Sequence, residues 1–444
     1  MMIRRRDALP AVFTLVPRHV LGGVGYTAPS DKLNIAGVGV GGVGRSYLKN
    51  CESENFVALC DVDEKLAAPV FARYPHAKTY RDYRIMLEKQ KDIDALIIGT
   101  PDHTHALIAM AGMHAGKHIY CAKPLTRTLY QARLLAKTAA EKKLATQMSV
   151  QTCASEESCL TEEWIKAGAA GQVSEVHIWS DRPIWPQGVQ RPQEALPLPK
   201  GLDWDLWLGP APLRDYHPVY HPFSWRGWYD FGTGALGDMA CHALHVVFRA
   251  LNLTEPLAAS AVTNFVIESA IEKKPDGSYD LKPKHAKFPE TFPMASVVTW
   301  DFNRVRVHWY DGGLKPARPK ELPAGESLDG SGVLYTGDKG ILLSGFTGGA
   351  RLLTEARKRE FQPPAKTIAR TQGHYQEWIA ACKGGPETNC HFGFGAKLTE
   401  TALLGVLAQR TGRYLEWDSA NLKVTNDRAA NEWVNPPGRA PWNL

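Results

Sequence analysis

The stretch LNIAGVGVGGVG, residues 33–44, decides the fold. Its first half is a short apolar run suited to a buried strand; its second half is rich in glycine and leads into RSYLKN, which has helical spacing. The glycines fit G-x-G-x-x-G in two registers, beginning at Gly37 or at Gly39. The second register, Gly39-Val40-Gly41-Gly42-Val43-Gly44, is preferred because it puts the first glycine at the strand's end and the third inside the opening helix. There the backbone can turn tightly and bring helix N–H groups up to a pyrophosphate. The next apolar run, NFVALCD, ends on Asp61, 22 positions after Gly39, near the separation of about 20 expected of a carboxylate that accepts from an adenosine ribose. A carboxylate there repels a 2′-phosphate and the following VDEK brings no arginine, so NAD is favoured over NADP.

Outward from this loop the alternation continues. DEKLAAPVFARY has helical spacing, DALIIGT is a third strand, HALIAMAGMHAG a helix, KHIYCAKP a strand, LYQARLLAKTAAEKK a helix and LATQMSV the last strand. Strands alternating with helices imply a parallel, doubly wound (Rossmann) sheet over residues 31–150. Beyond residue 150 the pattern changes. SEESCLTEEWIKAG reads as a helix and VSEVHIWSD as a strand, and residues 183–230 form a long loop rich in Pro and Trp. ASVVTWDF, RVRVHWYDG and GVLYTGDKGILLS alternate as antiparallel strands do, and helices return at YQEWIAACKGG and GAKLTETALLGVLAQRTG. Residues 151–444 are therefore expected to form an α+β substrate domain with an open, mainly antiparallel sheet.

The composition supports two domains. A chain of 444 residues exceeds what one core usually serves, and 44% hydrophobic residues is ordinary for a globular protein. The formal charge of +6 arises from 52 basic and 46 acidic residues spread along the chain, without the basic stripe that grips nucleic acid. The eight cysteines show no CxxC or zinc-like spacing and most are expected to be buried thiols, and no later segment is long and apolar enough to span a bilayer. The first 30 residues read instead as an export signal. Three arginines precede the apolar run from Ala8 to Val16, and Arg5-Arg6-Asp7-Ala8-Leu9 resembles the twin-arginine pattern. That implies passage through the twin-arginine machinery to the periplasm, a route that carries folded proteins and suits one that takes its cofactor along.

GALGDMACHALH, residues 234–245, sets Asp238 and His242 one helical turn apart on one face. Alone, that spacing fits either a satisfied polar pair at a helix start or a proton-handling dyad. TPDHTH (100–105), YCAKPLT (120–126) and GDMACH together resemble the Gfo/Idh/MocA oxidoreductases, and SDRPIWPQG, LDWDLWLGPAP and FSWRGWYDFGTGALGDMACH resemble the branch common among exported bacterial members. The similarity runs from about residue 31 to NDRAANEW near the C-terminus. By this resemblance, Lys123 and His242 face the substrate carbon beside the nicotinamide and Asp238 orients or charges the imidazole. Thr100, Pro101, Asp102, His105, Lys123 and Gln151 join Gly39–Gly44 and Asp61 in the cofactor site. Removing a hydride from CH–OH needs a base within reach of the hydroxyl, and a histidine titrating near neutrality suits that role.

His103 and His114 do not match the family's positions and are expected at the surface; His103 and His105 lack a third convergent ligand nearby in sequence, so no metal is expected. The chain departs from the family pattern twice. Ala122 replaces a glutamate expected to hold the nicotinamide ribose, and His245 stands where Asp is common.

The leading expectation is an NAD-dependent oxidoreductase that acts on a hydroxyl or keto carbon of a sugar or glycoside, C3 being a candidate, with the nucleotide held tightly and recycled. One alternative is a redox-neutral, NAD-dependent glycoside hydrolase. Another, encouraged by Ala122, is a non-catalytic sugar or nucleotide sensor. Trp and Tyr cluster between residues 179 and 229, and Arg182, Trp185, His221, Trp225, Arg226 and Tyr229 are candidates for a sugar-stacking wall; an interface between domains or subunits explains them equally. A homo-oligomer is expected, since open sheets of this kind often pair.

Overall fold

The computed structural model describes Ala28, residues 31–264, 266–286 and 288–444. The arginine pair and apolar run of the export signal lie outside the described residues. Six parallel strands, β1 (Asn34–Val38), β2 (Asn55–Cys60), β3 (Lys78–Tyr80), β4 (Ala95–Ile98), β5 (His118–Cys121) and β6 (Thr146–Met148), form the first sheet in the order β3-β2-β1-β4-β5-β6. This is the doubly wound order whose direction reverses between β1 and β4 and opens a crevice at their C-terminal ends. The four residues of β4, Ala-Leu-Ile-Ile, are all buried, as a strand covered on both faces requires. Five of the six are the strands expected from the apolar runs, and β3 is the exception. Its three residues Lys-Thr-Tyr stand at the sheet's edge and carry no apolar run.

The helices of this layer are α1 (Gly44–Asn50), α2 (Glu64–Arg73), α3 (Tyr83–Lys89), α4 (Asp102–His114) and α5 (Leu129–Lys142). Their starts are chemically marked. Asp63 and Thr128 accept hydrogen bonds from Leu66 N and Gln131 N, filling orphan N–H groups of the first turn, and α5 stops where Lys143 turns left-handed at φ 53°.

Helix α6 (Glu156–Lys166) leads into the second domain, capped by Ser155, which accepts from Ser158 N. Its nine-stranded sheet contains β7 (Val173–Trp179), β8 (Ala258–Thr263), β11 (Ser296–Asp301), β12 (Arg306–Tyr310), β13 (Gly332–Gly337), β14 (Gly340–Gly345), β15 (Gly348–Leu352), β16 (Leu415–Asp418) and β17 (Lys423–Val424); β9 (Val266–Lys273) and β10 (Tyr279–Ala286) pair as a separate hairpin. The order is β15-β14-β13-β7-β12-β11-β8-β16-β17, antiparallel except for β7 beside β12. Five further helices complete the domain: α7 (Trp204–Leu208), α8 (Gly234–Leu251), α9 (Glu355–Glu360), α10 (His374–Cys382) and α11 (Phe392–Thr411). Helices α6, α8 and α11 cover one face of the sheet. The other face is more exposed along strands such as β11, which bury every second residue, while at β13 and β14 it is covered by Leu322 and Leu328 packed on Leu334 and Trp179. All eight cysteines are free thiols and seven are buried, as expected of small hydrophobes.

Candidate active site

The crevice is built from β-strand ends. Gly39 follows β1 with φ 75°, and an added Cβ would stand 2.6 Å from Thr100 N and Cγ2, so only glycine lets this turn lie against the end of β4. Helix α1 begins at Gly44, which decides between the two glycine registers in favour of Gly39–Gly44. Gly42 has open space beside its Cα and lines the crevice with Gly39 and Val43, whereas Val40 is buried beneath the loop.

Asp61 also lines the crevice and holds the loop. Its carboxylate accepts from Gly41 N at 2.8 Å and Asp63 N at 3.0 Å, and each oxygen retains a lone pair for a further donor. A turn that excludes side chains, an open glycine and an acceptor at the end of β2 fit the pyrophosphate and ribose of a dinucleotide. Arg81 and Asp82 reach the same wall from the end of β3, and Arg81 pairs with Glu64 at 2.5 Å. The pairing of β3 with β2 that brings them there is not visible in local sequence.

The crevice, a cavity of about 410 Å³, runs from this loop to Lys123 and Asp238. Lys123 follows β5 and Asp238 lies in the second turn of α8, so the two domains meet here. The ammonium donates to the Asp238 carboxylate at 2.6 Å and to the Asp238 carbonyl, and Arg226 approaches the same carboxylate at 3.6 Å. Burial works against the charge of Asp238, but Lys123 and then Arg226 hold its pKa below the usual value, so it is ionised.

His242 departs from expectation. Its ring makes no hydrogen bond with Asp238 or any other side chain among the described residues; burial, with the charge of Lys123 added, pushes its pKa down to about 3, against the opposing pull of Asp238. The imidazole is neutral at physiological pH, and the charged pair of this site is Lys123–Asp238. His245, one turn further along α8, is buried, and its Nδ1 lies 2.9 Å from the His242 carbonyl.

The TPDHTH segment divides by role. Thr100, Pro101 and Asp102 line the crevice. Asp102 accepts from the Thr233 hydroxyl at 2.7 Å, and burial, with Asp238 adding to it, raises its carboxyl to about 7. His105 is fully buried outside the crevice wall, its ring nitrogens 2.8 Å from Thr100 O and 2.9 Å from Pro124 O, so it fixes the turn that carries Lys123. His103 is not at the surface. It is 1% exposed, between Trp207 O and Phe231 O at 2.9 and 3.2 Å, while His114 is exposed as expected. Gln151 is half-buried beside the Tyr120 and Tyr375 hydroxyls, away from the crevice wall. Glu175, His177 and His308 on the other sheet face bring ligand-type atoms within 4.8 Å of one another; His308 Nε2 lies 2.9 Å from Glu175 and His177 Nδ1 3.0 Å from the Tyr310 hydroxyl, while His177 Nε2 stands 3.7 Å from the second Glu175 oxygen.

The aromatic wall also divides. Trp225 and Arg226 line the crevice, and Arg226 lies 4.2 Å over the Trp225 ring and 5.8 Å from that of Trp185. His221 lines it too, but next to Asp61, paired with Asp63 at 2.8 Å. Arg182 and Tyr229 do not belong to this wall. Arg182 pairs with its neighbour Asp181 at 2.6 Å, and Tyr229 packs 4.0 Å from Phe292 on the far side of the Thr233–Gly234 turn. A cluster of Trp and Tyr in sequence does not tell which face each ring takes.

Comparison with known proteins agrees with this architecture. Residues 33–150 match the model of the Gfo/Idh/MocA oxidoreductase family's NAD-binding Rossmann fold, and residues 172–261 that of its C-terminal alpha/beta domain. Levoglucosan dehydrogenase from Pseudarthrobacter phenanthrenivorans is 28% identical over 187 residues, 42% of this chain and 40% of that protein. A glycosyl hydrolase family 109 protein from Shewanella putrefaciens is 27% identical over 163 residues, 34% of this chain and 35% of that one. The match thus spans well under half the length of either relative. The WlbA dehydrogenase from Bordetella pertussis, solved with NADH and UDP-GlcNAcA, shares the fold with a TM-score of 0.59 at 15% identity, over 87% of this chain and 99% of that one. The chain belongs to the Gfo/Idh/MocA oxidoreductase family, with an NAD-binding Rossmann domain joined to the family's C-terminal α/β domain.

Proposed function

We propose that the protein exchanges a hydride between NAD and a hydroxyl-bearing carbon of a sugar or glycoside, C3 being the candidate position. The observation that carries this reading is the meeting of the Lys123 ammonium and Asp238 carboxylate at 2.6 Å, one from each domain, at the end of the nucleotide crevice. NAD bound there would accept or supply the hydride, held by Gly39, Gly42, Asp61, Thr100 and Pro101. Two of the three ammonium protons of Lys123 are engaged by Asp238, which leaves the third for a substrate oxygen. When the carbon is oxidised, its hydroxyl proton passes to the free-base form of Lys123; in the reverse direction the ammonium returns it. Asp238 stabilises the ammonium that forms when Lys123 takes the proton. Neutral His242 is not among the residues that line the crevice, so the proton transfer is assigned to Lys123. Trp225 and Arg226 supply a face for a sugar ring.

The second domain roofs the crevice with Leu206, Trp207, His221 and Phe223, and this enclosure supports a nucleotide that is retained and recycled in place. Retention in turn agrees with export through the Arg5-Arg6 signal to the periplasm, which cell fractionation tests. The experiment for the main reading is to denature the purified protein, identify any released nucleotide by mass, and screen glycosides for keto products. Finding neither nucleotide nor keto sugar would refute it. Similarity to the glycosyl hydrolase family 109 protein favours one second reading, net hydrolysis by oxidation, elimination, water addition and reduction. Release of free sugar from a glycoside without added NAD selects that reading.

A further inference from the structure

Two guanidiniums elsewhere in the molecule form no direct ion pair among the described residues. Arg127, four residues beyond Lys123, and Arg410, near the end of α11, line one cleft with Thr128, Thr233 and Phe292, on the side of the Thr233–Gly234 turn away from the crevice. Arg127 donates to the Tyr229 carbonyl at 3.2 Å. Arg410 makes no hydrogen bond among the described residues; its guanidinium carbon lies 4.4 Å from the Tyr229 ring centroid and 3.3 Å from that of Trp433. Asp230, whose charge favours both cations, is bound by Arg214. Burial opposes the charge on each arginine, and Arg410 further opposes that on Arg127.

The cleft adjoins a second chamber of about 250 Å³ that shares Tyr229, Phe292, Arg410 and Trp433 with it. Its walls add Phe288, Pro293, Met294 and Gln409, and the Gln409 Oε1 is buried without a partner. Met294, 48% exposed, stands at its rim.

Stacking occupies the faces of a guanidinium and leaves its in-plane N–H groups free, the geometry that binds a planar or tetrahedral oxyanion. Two partly buried like charges without a direct ion-pair partner are unfavourable, and an anion between them relieves both. A cation is excluded by sign, and a neutral ligand would leave the charges uncompensated. We propose that this cleft binds the carboxylate or phosphate of a small organic anion, with the oxyanion between Arg127 and Arg410 and the body in the adjoining chamber.

This site is independent of the hydride-transfer reading, and its test does not use activity. Benzoate, phenyl phosphate, inorganic phosphate and benzyl alcohol are titrated into the full chain, with calorimetry and tryptophan fluorescence as readouts. Benzoate or phenyl phosphate is expected to bind with 1:1 stoichiometry and benzyl alcohol not at all. Arg410→Gln and Arg127→Gln should each weaken binding about tenfold or more, the loss typical of a charged hydrogen bond. Met294→Glu adds a negative charge at the exposed rim without disturbing the core, and should weaken the same binding while leaving the melting temperature unchanged. No binding at millimolar concentration, or affinities unchanged in Arg410→Gln and Met294→Glu, overturns the proposal. Inorganic phosphate binding as tightly as phenyl phosphate overturns the role given to the chamber.

Discussion

Asp238→Ala and Lys123→Met should damage the protein unequally, although both break the same ion pair. The side chains of Lys123 and Asp238 are only 16% and 13% exposed, and breaking a pair so enclosed typically costs about 3–5 kcal/mol, because the partner left behind is a buried, uncompensated charge. In Asp238→Ala two cations are stranded, since Arg226 stands 3.6 Å from the same carboxylate, so the full penalty is expected. In Lys123→Met the carboxylate keeps Arg226. At an effective dielectric constant near 20, opposite charges about 4 Å apart attract by about 4 kcal/mol, enough to hold the loss to roughly 2 kcal/mol. The assay is urea unfolding of both variants and of the double variant at pH 7. Both single variants should also lose at least about 10²-fold in hydride transfer, as acid-base groups do. Acidification checks the sign: Asp238 has a lowered folded pKa, so its stabilisation is present above about 4 and is lost as the pH falls further. Equal stability losses, or a larger one for Lys123→Met, would refute the account of Asp238 as the shared counter-ion.

Other perturbations follow from the same geometry. Gly39→Ala places a Cβ 2.6 Å from Thr100 and forces a left-handed φ on alanine; the purified variant should carry at least about tenfold less nucleotide, from the roughly 1–2 kcal/mol of strain. Asp102, raised from 3.8 to about 7, stabilises the fold when protonated, and that contribution is lost as the pH rises through 7. At about 1.4 kcal/mol per pH unit it amounts to at most about 4 kcal/mol. Asp102→Asn should therefore gain stability relative to the parent between pH 5 and 8 in urea titrations. A relative loss there would contradict the assigned protonation. Arg226→Ala should raise KM for the sugar, whereas Arg182→Ala, tied to Asp181 outside the crevice, should leave it unchanged.

Local physics explains what the sequence disclosed. The loop at 39–44 and Asp61 were legible because turn geometry and strand-end chemistry demand particular residue types at fixed spacing. The exposed three-residue β3 carries no such demand, and the residues it delivers to the crevice, Arg81 and Asp82, went unseen with it. The site failed to be read where partners came from distant elements. The i, i+4 spacing of Asp238 and His242 is real, yet the carboxylate turns to Lys123, 115 residues away in sequence. Burial of His103, and the placement of Tyr229 behind the Thr233–Gly234 turn, depend on long-range packing that composition does not encode.

Deuterium labelling follows the transferred hydride itself. The purified protein is given glycosides deuterated at each ring carbon, and its nucleotide is then released and weighed. The nucleotide should gain a single deuterium from one ring position, and Lys123→Met should retain bound nucleotide but lose the transfer. A protein that holds NAD yet never labels it, with any glycoside supplied, would contradict hydride exchange at the Lys123–Asp238 pair.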